Sequence, residues 1–125
     1  MIVGLGVDIV EVARLEAALR RHGDRFVERV FTEAERAACD PRVDRVLAFA
    51  ARFAAKEACL KALGTGWAEG LGFRDVEIVR EGNQPPRLIL HGKAARRAEA
   101  LGVIRSHVSL THQPGLAAAV VVLER

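Results

Sequence analysis

Tyrosine is missing from this sequence, and its other aromatic residues are one Trp and five Phe among 125 residues. A surface that stacks nucleic-acid bases needs aromatic side chains beside basic ones; no such run occurs, so we expect no nucleic acid as a partner. No apolar run approaches the ~18 residues that a membrane-spanning helix needs. The first residues, MIVGLGVDIVE, lack the basic leader of a signal peptide. We therefore expect a cytoplasmic protein that does not enter the membrane.

Cysteine is also scarce. Only Cys39 and Cys59 occur, and neither has the spacing to other Cys or His residues that a zinc site requires. The phosphate-binding pattern G-x-x-x-x-G-K-[ST] is absent as well. In a reducing cytosol we expect the two cysteines to be free, buried thiols rather than a disulfide.

The composition is typical of one globular domain over residues 1–125. Half of the residues are hydrophobic and 28% are charged, and a chain of this length buries roughly two-thirds of its unfolded surface. The net charge of +3 suits an acidic protein, an anionic substrate or nucleic acid, and it does not choose among them.

The spacing of apolar residues predicts strands at both ends of the chain and helices between them. We expect the order β-α-α-α-β-β-α-β-β, in an α+β fold with an antiparallel sheet. A strand over 2–8 is followed by a helix that contains Val12, Leu15 and Leu19. Residues 25–30 fit either a short helix or a turn.

Helix boundaries are marked most clearly in the middle of the chain. Thr32 and Glu35 form a T-x-x-E capping box, which places a helix start at Glu33. The remaining predicted elements are a helix over 44–63 that ends at Gly64, strands over 73–80 and 87–91, a helix over 93–101, and a hairpin over 107–112 and 116–123.

Asp8 is the first candidate for a functional-site residue. Side chains alternate between the faces of a strand, so Asp8 shares a face with Gly4 and Gly6. We expect two glycines beside a carboxylate to leave open space that suits a bulky anion or a hydrated ion. The alternative is that Asp8 caps the helix that follows.

A second carboxylate lies in the 44–63 helix. At ~100° per residue, Glu57 falls on the apolar stripe beside Val46 and Phe53. A lone carboxylate there needs a cation or an ion pair. One interpretation is a salt bridge to Lys61, one turn further on; the other is that Glu57 binds a metal ion.

Two further polar segments have both a structural and a functional interpretation. Gly64-Thr65-Gly66, which follows the 44–63 helix, fits a phosphate-binding loop or an ordinary helix C-cap. On the 107–112 strand, His107, Ser109 and Thr111 share a face that is either solvated or one wall of a site. Two carboxylates, a lysine and a glycine-rich loop together fit Mg²⁺-assisted phosphoryl-group chemistry, because Mg²⁺ is commonly held by one or two carboxylates plus substrate phosphates and waters.

The first helix carries Arg14 and Arg21 on the side opposite its apolar residues. Most charged stripes of this kind are simply solvated. The functional interpretation is a docking surface for an acidic helix.

The chain resembles the short bacterial holo-acyl-carrier-protein synthases, a type of 4′-phosphopantetheinyl transferase. The motifs that carry the resemblance are GLGVDIVEVARL at 4–15, FTEAER at 31–36, RFAAKEACLKALGTG at 52–66 and HVSLTHQPGLAAAVVVLE at 107–124. The resemblance implies transfer of the 4′-phosphopantetheine moiety of coenzyme A to a serine of apo-acyl carrier protein, in support of fatty acid biosynthesis. The other product would be adenosine 3′,5′-bisphosphate.

The same resemblance implies roles for individual residues. Asp8 and Glu57 would hold the catalytic Mg²⁺, and Lys61 would lie near the coenzyme A diphosphate. The other implied contacts are Gly64, Thr65 and Gly66 beside that diphosphate, Arg45, Arg52 and His107 near the 3′-phosphoadenosine end, and Arg14 and Arg21 against the acidic carrier. The family is usually a homotrimer with its sites at subunit interfaces. Glu57, a metal-bound water and His107 all remain open as the general base.

Two functions of other classes are the alternatives. A small basic nucleic-acid-binding domain would show an affinity that falls steeply with salt, and it leaves Glu57 on an apolar stripe unexplained. A non-catalytic trimeric interaction module would keep the core and have no need of Asp8 or Glu57.

Overall fold

The computed structural model describes residues 1–64 and 72–125, and within them it confirms the predicted α+β order. Segment 25–30, which the sequence left open, is helical, so four described helices, rather than the three predicted, separate the first strand from the second. The elements are β1 (Ile2–Glu11), α1 (Val12–His22), α2 (Asp24–Val30), α3 (Glu33–Cys39), α4 (Arg45–Leu63), a 3-10 turn (Phe73–Asp75), β2 (Val76–Val79), β3 (Arg87–Leu90), α5 (Gly92–Ala100), β4 (Arg105–Gln113) and β5 (Leu116–Glu124).

The strands form two antiparallel sheets. The larger has the order β1-β5-β4, and β2 pairs with β3 in the smaller. The first and last strands of the chain therefore lie side by side, with Asp8 paired to Ala119. The sequence indicated antiparallel pairing, but it did not indicate this strand order.

Helix α4 lies against the inner face of the larger sheet and forms the centre of the core. The sequence predicted one apolar stripe, but the helix is buried on nearly all sides, because its many alanines let neighbouring elements approach closely. It ends at Gly64, whose φ of 76° is the left-handed conformation of a helix C-cap. The predicted start of α3 at Glu33 is confirmed, with Thr32 and Glu35 in a reciprocal capping box.

Strand β1 lies so close to α4 that Gly4 and Gly6 have no room for side chains. A Cβ on Gly4 would stand 2.2 Å from the carbonyl oxygen of Ala62, and one on Gly6 would stand 1.8 Å from that of Ala58. The expectation of open space against the bare backbone of Gly4 and Gly6 was therefore wrong, because the backbone of α4 fills that space. The two glycines allow the close approach that brings Asp8 to the helix carrying Glu57.

The opposite face of the larger sheet is apolar and exposed. Leu5, Val7 and Ile9 are 66%, 59% and 66% exposed. The register aligns them with apolar residues of the central strand, β5. We call this surface the outer apolar face; its residues are Leu5, Val7, Ile9, Ala118, Val120 and Val122.

None of the helices in the two described stretches is both long enough and apolar enough to cross a membrane.

Candidate active site

Lys61 and Asp8 form the centre of the candidate site. The Lys61 ammonium donates hydrogen bonds to Oδ1 of Asp8 and to the carbonyl oxygen of Val7, each at 3.0 Å. Asp8 lies within β1, and the residue at the N-cap of α1 is Glu11, whose side chain makes no capping bond. The alternative role of Asp8 as a helix cap was therefore wrong.

Glu57 completes a group of three charged residues. Burial raises the pKa of the Glu57 carboxyl, the nearby Asp8 carboxylate raises it further, and Lys61 opposes both effects. The alternative of a Glu57–Lys61 salt bridge was wrong, because Lys61 forms its ion pair with Asp8. Within residues 1–64 and 72–125, the Glu57 side chain accepts no hydrogen bond. Glu57 is thus a half-buried carboxylate beside a second carboxylate.

Asp8 and Glu57 line one cavity of about 480 Å³, between β1, α1, α2 and α4. Arg14 borders the same cavity, whereas Arg21 is exposed further along α1. The rest of the wall is largely apolar and includes Leu15, Ala18, Phe26, Phe53 and Leu116. The cavity therefore combines the carboxylates of Asp8, Glu11 and Glu57 and the guanidinium of Arg14 with an apolar surface.

The donor set of this cavity fits Mg²⁺. Both donors are carboxylate oxygens, which Mg²⁺ prefers, and a cation would relieve the repulsion that raises the pKa of Glu57. No group of three or more His, Cys, Asp or Glu side chains in the described stretches can hold a metal ion alone. Asp8 and Glu57 would thus leave most coordination positions to waters and to substrate phosphate oxygens.

Arg52 lies in a separate, basic cavity of about 310 Å³. Arg42, Arg80 and His112 line the same cavity. The Nε of Arg52 is buried and has no hydrogen-bond partner among the described residues. A cavity with three guanidinium groups and an unpaired donor suits an anion such as a phosphate.

Sequence reasoning missed Arg42, Arg80 and His112. Arg42 precedes α4, Arg80 follows β2 and His112 lies on β4, so they are far apart in the chain and no periodic pattern links them. The only signal available was the general excess of basic residues.

The other predicted coenzyme A contacts lie elsewhere in the chain. Arg45 donates from Nε to Oδ1 of Asp40 at 2.9 Å and stands over the Phe49 ring. His107 is exposed on β4, 3.1 Å from Oε2 of Glu124. Gly64 lies at the end of α4, and Thr65 and Gly66 fall outside the described residues. Neither Arg45 nor His107 lines the cavity that contains Arg52.

The two cysteines take no part in either cavity. Both are free and buried, as predicted. Burial raises the pKa of the Cys39 thiol to about 11 and that of Cys59 to about 12. Both therefore remain protonated at neutral pH.

Comparison with known proteins defines the class. Residues 4–121 match the model of the 4′-phosphopantetheinyl transferase superfamily, and the chain belongs to this family. Over 124 residues, which make up 99% of both chains, it is 55% identical to a holo-[acyl-carrier-protein] synthase of Solidesulfovibrio magneticus.

Solved structures agree with this assignment. The crystal structure of the holo-[acyl-carrier-protein] synthase from Neisseria meningitidis is 32% identical, with a TM-score of 0.90 and 100% coverage of both chains. The Helicobacter pylori holo-[acyl-carrier-protein] synthase, solved in complex with coenzyme A, is 33% identical, with a TM-score of 0.84. That match covers 96% of this chain and 99% of the other.

Proposed function

We propose that this chain transfers the 4′-phosphopantetheine moiety of coenzyme A to a serine of apo-acyl carrier protein, with Mg²⁺ held by Asp8 and Glu57. Family membership and full-length similarity to holo-[acyl-carrier-protein] synthases support the transfer reaction. The observation that carries the proposed mechanism is the convergence of three charged residues: Asp8 and Glu57 line one cavity, and Lys61 pairs with Asp8. Neither the nucleic-acid-binding module nor the non-catalytic module explains that convergence.

The chain's own residues bind and orient the substrate in this mechanism. Asp8 and Glu57 would hold the cation, which would supply positive charge to the diphosphate. Lys61 neutralises negative charge that develops on the leaving adenosine 3′,5′-bisphosphate. A bond forms between the carrier serine oxygen and the phosphorus next to pantetheine, and the bond from that phosphorus to the bridging oxygen breaks. Glu57 borders the cavity and is the side chain that we favour for accepting the serine proton.

The basic cavity around Arg52 is our proposed binding site for the 3′-phosphoadenosine end of coenzyme A. The unpaired Nε of Arg52 supports this assignment, because an unpaired buried donor is costly until an acceptor binds. Arg42, Arg80 and His112 would add charge around the same phosphate.

We further propose a homotrimer in which the outer apolar face is covered by neighbouring copies. The exposure of Leu5, Val7 and Ile9 supports it, because burial of apolar area would stabilise so small a protein. His107 and Ser109 project from the same side of the sheet, since they align with Val122 and Val120. An interface there would bring His107 to a neighbouring subunit, which fits active sites shared between subunits.

The carrier would dock on α1. Arg14 borders the cavity that contains both carboxylates, and Arg21 extends the positive charge along the same helix. An acidic carrier helix placed there would deliver its serine to the cavity. The proposal takes residues 1–125 as one transferase domain that works in the cytoplasm.

One assay tests the transfer reaction directly. Apo-acyl carrier protein is incubated with this chain, coenzyme A and Mg²⁺, and its mass is measured. We expect the mass to rise by one phosphopantetheine group, and we expect no rise when Mg²⁺ is chelated or when the acceptor serine is replaced by alanine. An unchanged carrier mass at all enzyme concentrations would contradict the proposed function.

A further inference from the structure

Lys56 is a fully buried charged residue that the reaction does not use. Its side chain and that of Glu35 are both 0% exposed, and Nζ lies 2.7 Å from Oε1 of Glu35. The ammonium also donates to the carbonyl oxygens of Phe73 and Val76, and it stands 5.5 Å from the centre of the Phe31 ring. Burial lowers the pKa of Lys56, and the Glu35 carboxylate opposes that effect.

Glu35 connects this ion pair to two more elements. Its Oε1 accepts a hydrogen bond from the backbone N–H of Thr32, and its Oε2 accepts one from that of Ile78, both at 2.9 Å. The pair therefore links α3, α4, β2 and the turn before β2 at a single point. Its hydrogen-bonding groups are well satisfied, which is the condition under which a buried ion pair is tolerated.

Stability alone does not explain a charged pair at this position. Desolvation of two charges costs several kcal/mol per ion, and apolar residues of similar volume often stabilise a core equally well or better. Unlike apolar packing, a buried ion pair forms directional hydrogen bonds, which constrain the orientation of the groups that make them. The Lys56 ammonium has three donors, and here they reach three acceptors on separate segments. Helix α4 can satisfy all three in only one rotational setting.

Glu57 directly follows Lys56, and Lys61 lies five residues after Lys56 on the same helix. Successive side chains on a helix differ by ~100° in direction, so the setting of Lys56 fixes where both of these residues point. We propose that the Lys56–Glu35 pair positions Glu57 and Lys61 by holding α4 in one rotational setting. This inference rests on the proposed function, in which Glu57 and Lys61 act on the substrate.

The test replaces the pair with neutral side chains of similar size, in the double variant K56M/E35Q. We expect it to fold, with a melting temperature within a few degrees of the original. We expect kcat for carrier modification to fall about tenfold or more, because small misplacement of reacting groups is costly, while the KM for coenzyme A changes less than twofold. In a crystal structure of the variant, we expect the 3.0 Å contact between Lys61 and Asp8 to be lost.

Leu60→Val is the matched control, because Leu60 is buried on α4 and its apolar side chain is no part of the ion pair or of its hydrogen bonds. It should lower the melting temperature and leave kcat and the Lys61–Asp8 contact unchanged. A double variant with normal kcat and an intact Lys61–Asp8 contact would overturn the inference. The inference would also be overturned if Leu60→Val lost as much stability and as much kcat as the double variant.

Two further provisions keep the result interpretable. If the double variant does not fold, Lys56→Met alone takes its place, because Glu35 keeps its hydrogen bonds from the backbone of Thr32 and Ile78; the same loss of kcat is expected, and an unchanged kcat overturns the inference. The unmodified chain is assayed in parallel. If that chain fails to modify the carrier, the proposed function fails; if it is active and the variants are equally active, only the positioning role fails.

Discussion

The Lys61 ammonium lies 3.0 Å from Oδ1 of Asp8, although 53 positions separate the two residues in the chain. Strand β1 and helix α4 can approach this closely because Gly4 and Gly6 present bare backbone to the carbonyl oxygens of Ala62 and Ala58. The same approach places Glu57 within electrostatic reach of Asp8. The chemistry of the cavity therefore depends on the packing of one strand against one helix.

Removing either carboxylate should disable the enzyme. We expect Asp8→Asn and Glu57→Gln each to lower kcat/KM about a hundredfold or more, which corresponds to roughly 2.7 kcal/mol of transition-state stabilisation. The measurement is kcat/KM as a function of Mg²⁺ concentration. Glu16→Gln, which neutralises an exposed carboxylate on α1, is the control and should change kcat/KM little. Near-normal activity of Glu57→Gln at low Mg²⁺ would contradict the metal site.

Glu57→Gln should also stabilise the metal-free protein at neutral pH. Because the pKa of Glu57 is raised in the folded state, the folded state binds this proton more readily than the unfolded state does. Ionised Glu57 therefore costs stability above its raised pKa, and the cost disappears as pH falls below the ordinary value of 4.5. Melting curves in chelator should show the variant more stable at pH 7 and equal to the original near pH 4. A lower melting temperature for the variant at pH 7 would contradict this account.

Gly6→Ala should disrupt the contact between β1 and α4. Its Cβ would meet the carbonyl oxygen of Ala58 at 1.8 Å, so the strand or the helix must move. We expect a loss of about 1–3 kcal/mol in the free energy of unfolding, with a further loss of activity because Asp8 moves away from Glu57. Chemical denaturation measures the first effect. Gly115→Ala is the matched control, because a Cβ there meets nothing within 4 Å; equal losses in the two variants would show that the tight contact is not the cause.

Reversing the charge of Arg14 and Arg21 should weaken carrier binding. We expect R14E/R21E to raise the KM for carrier and to weaken the salt dependence of kcat/KM, because both residues attract an acidic partner. The KM for coenzyme A should change little. K93E/R96E on α5 lowers the net charge by the same amount and should leave carrier KM near normal. If R14E/R21E abolished coenzyme A binding and spared carrier binding, the docking assignment would be wrong.

A charge on the outer apolar face should disrupt the trimer. Val7→Glu buries a carboxylate in the proposed interface, where it has no partner, so we expect smaller particles and lower activity. Sedimentation or light scattering at micromolar concentration measures the assembly. Val43→Glu is the control, because Val43 is 107% exposed and lies in the turn before α4. A fully active monomer of the original chain would contradict the oligomer proposal.

Some of this structure could be read from the sequence, because local patterns determine it. The T-x-x-E pattern placed the start of α3, and the motifs around Asp8 and Glu57 identified the two carboxylates that line one cavity. The glycines were misinterpreted because a glycine in a strand indicates either open space or close packing, and only the position of α4 decides between them. Lys56 was overlooked because its partner, Glu35, lies on another helix.

The two buried cysteines have a consequence for an enzyme whose substrate carries a thiol. Disulfides of coenzyme A exchange with protein cysteines that are accessible and ionised at neutral pH, because the cysteine thiolate attacks a disulfide sulfur and releases a coenzyme A thiol. Cys39 and Cys59 are neither accessible nor ionised at neutral pH, because burial removes them from solvent and raises the pKa of both thiols. We therefore expect the protein to form no mixed disulfides with coenzyme A, and coenzyme A disulfide should leave its activity intact.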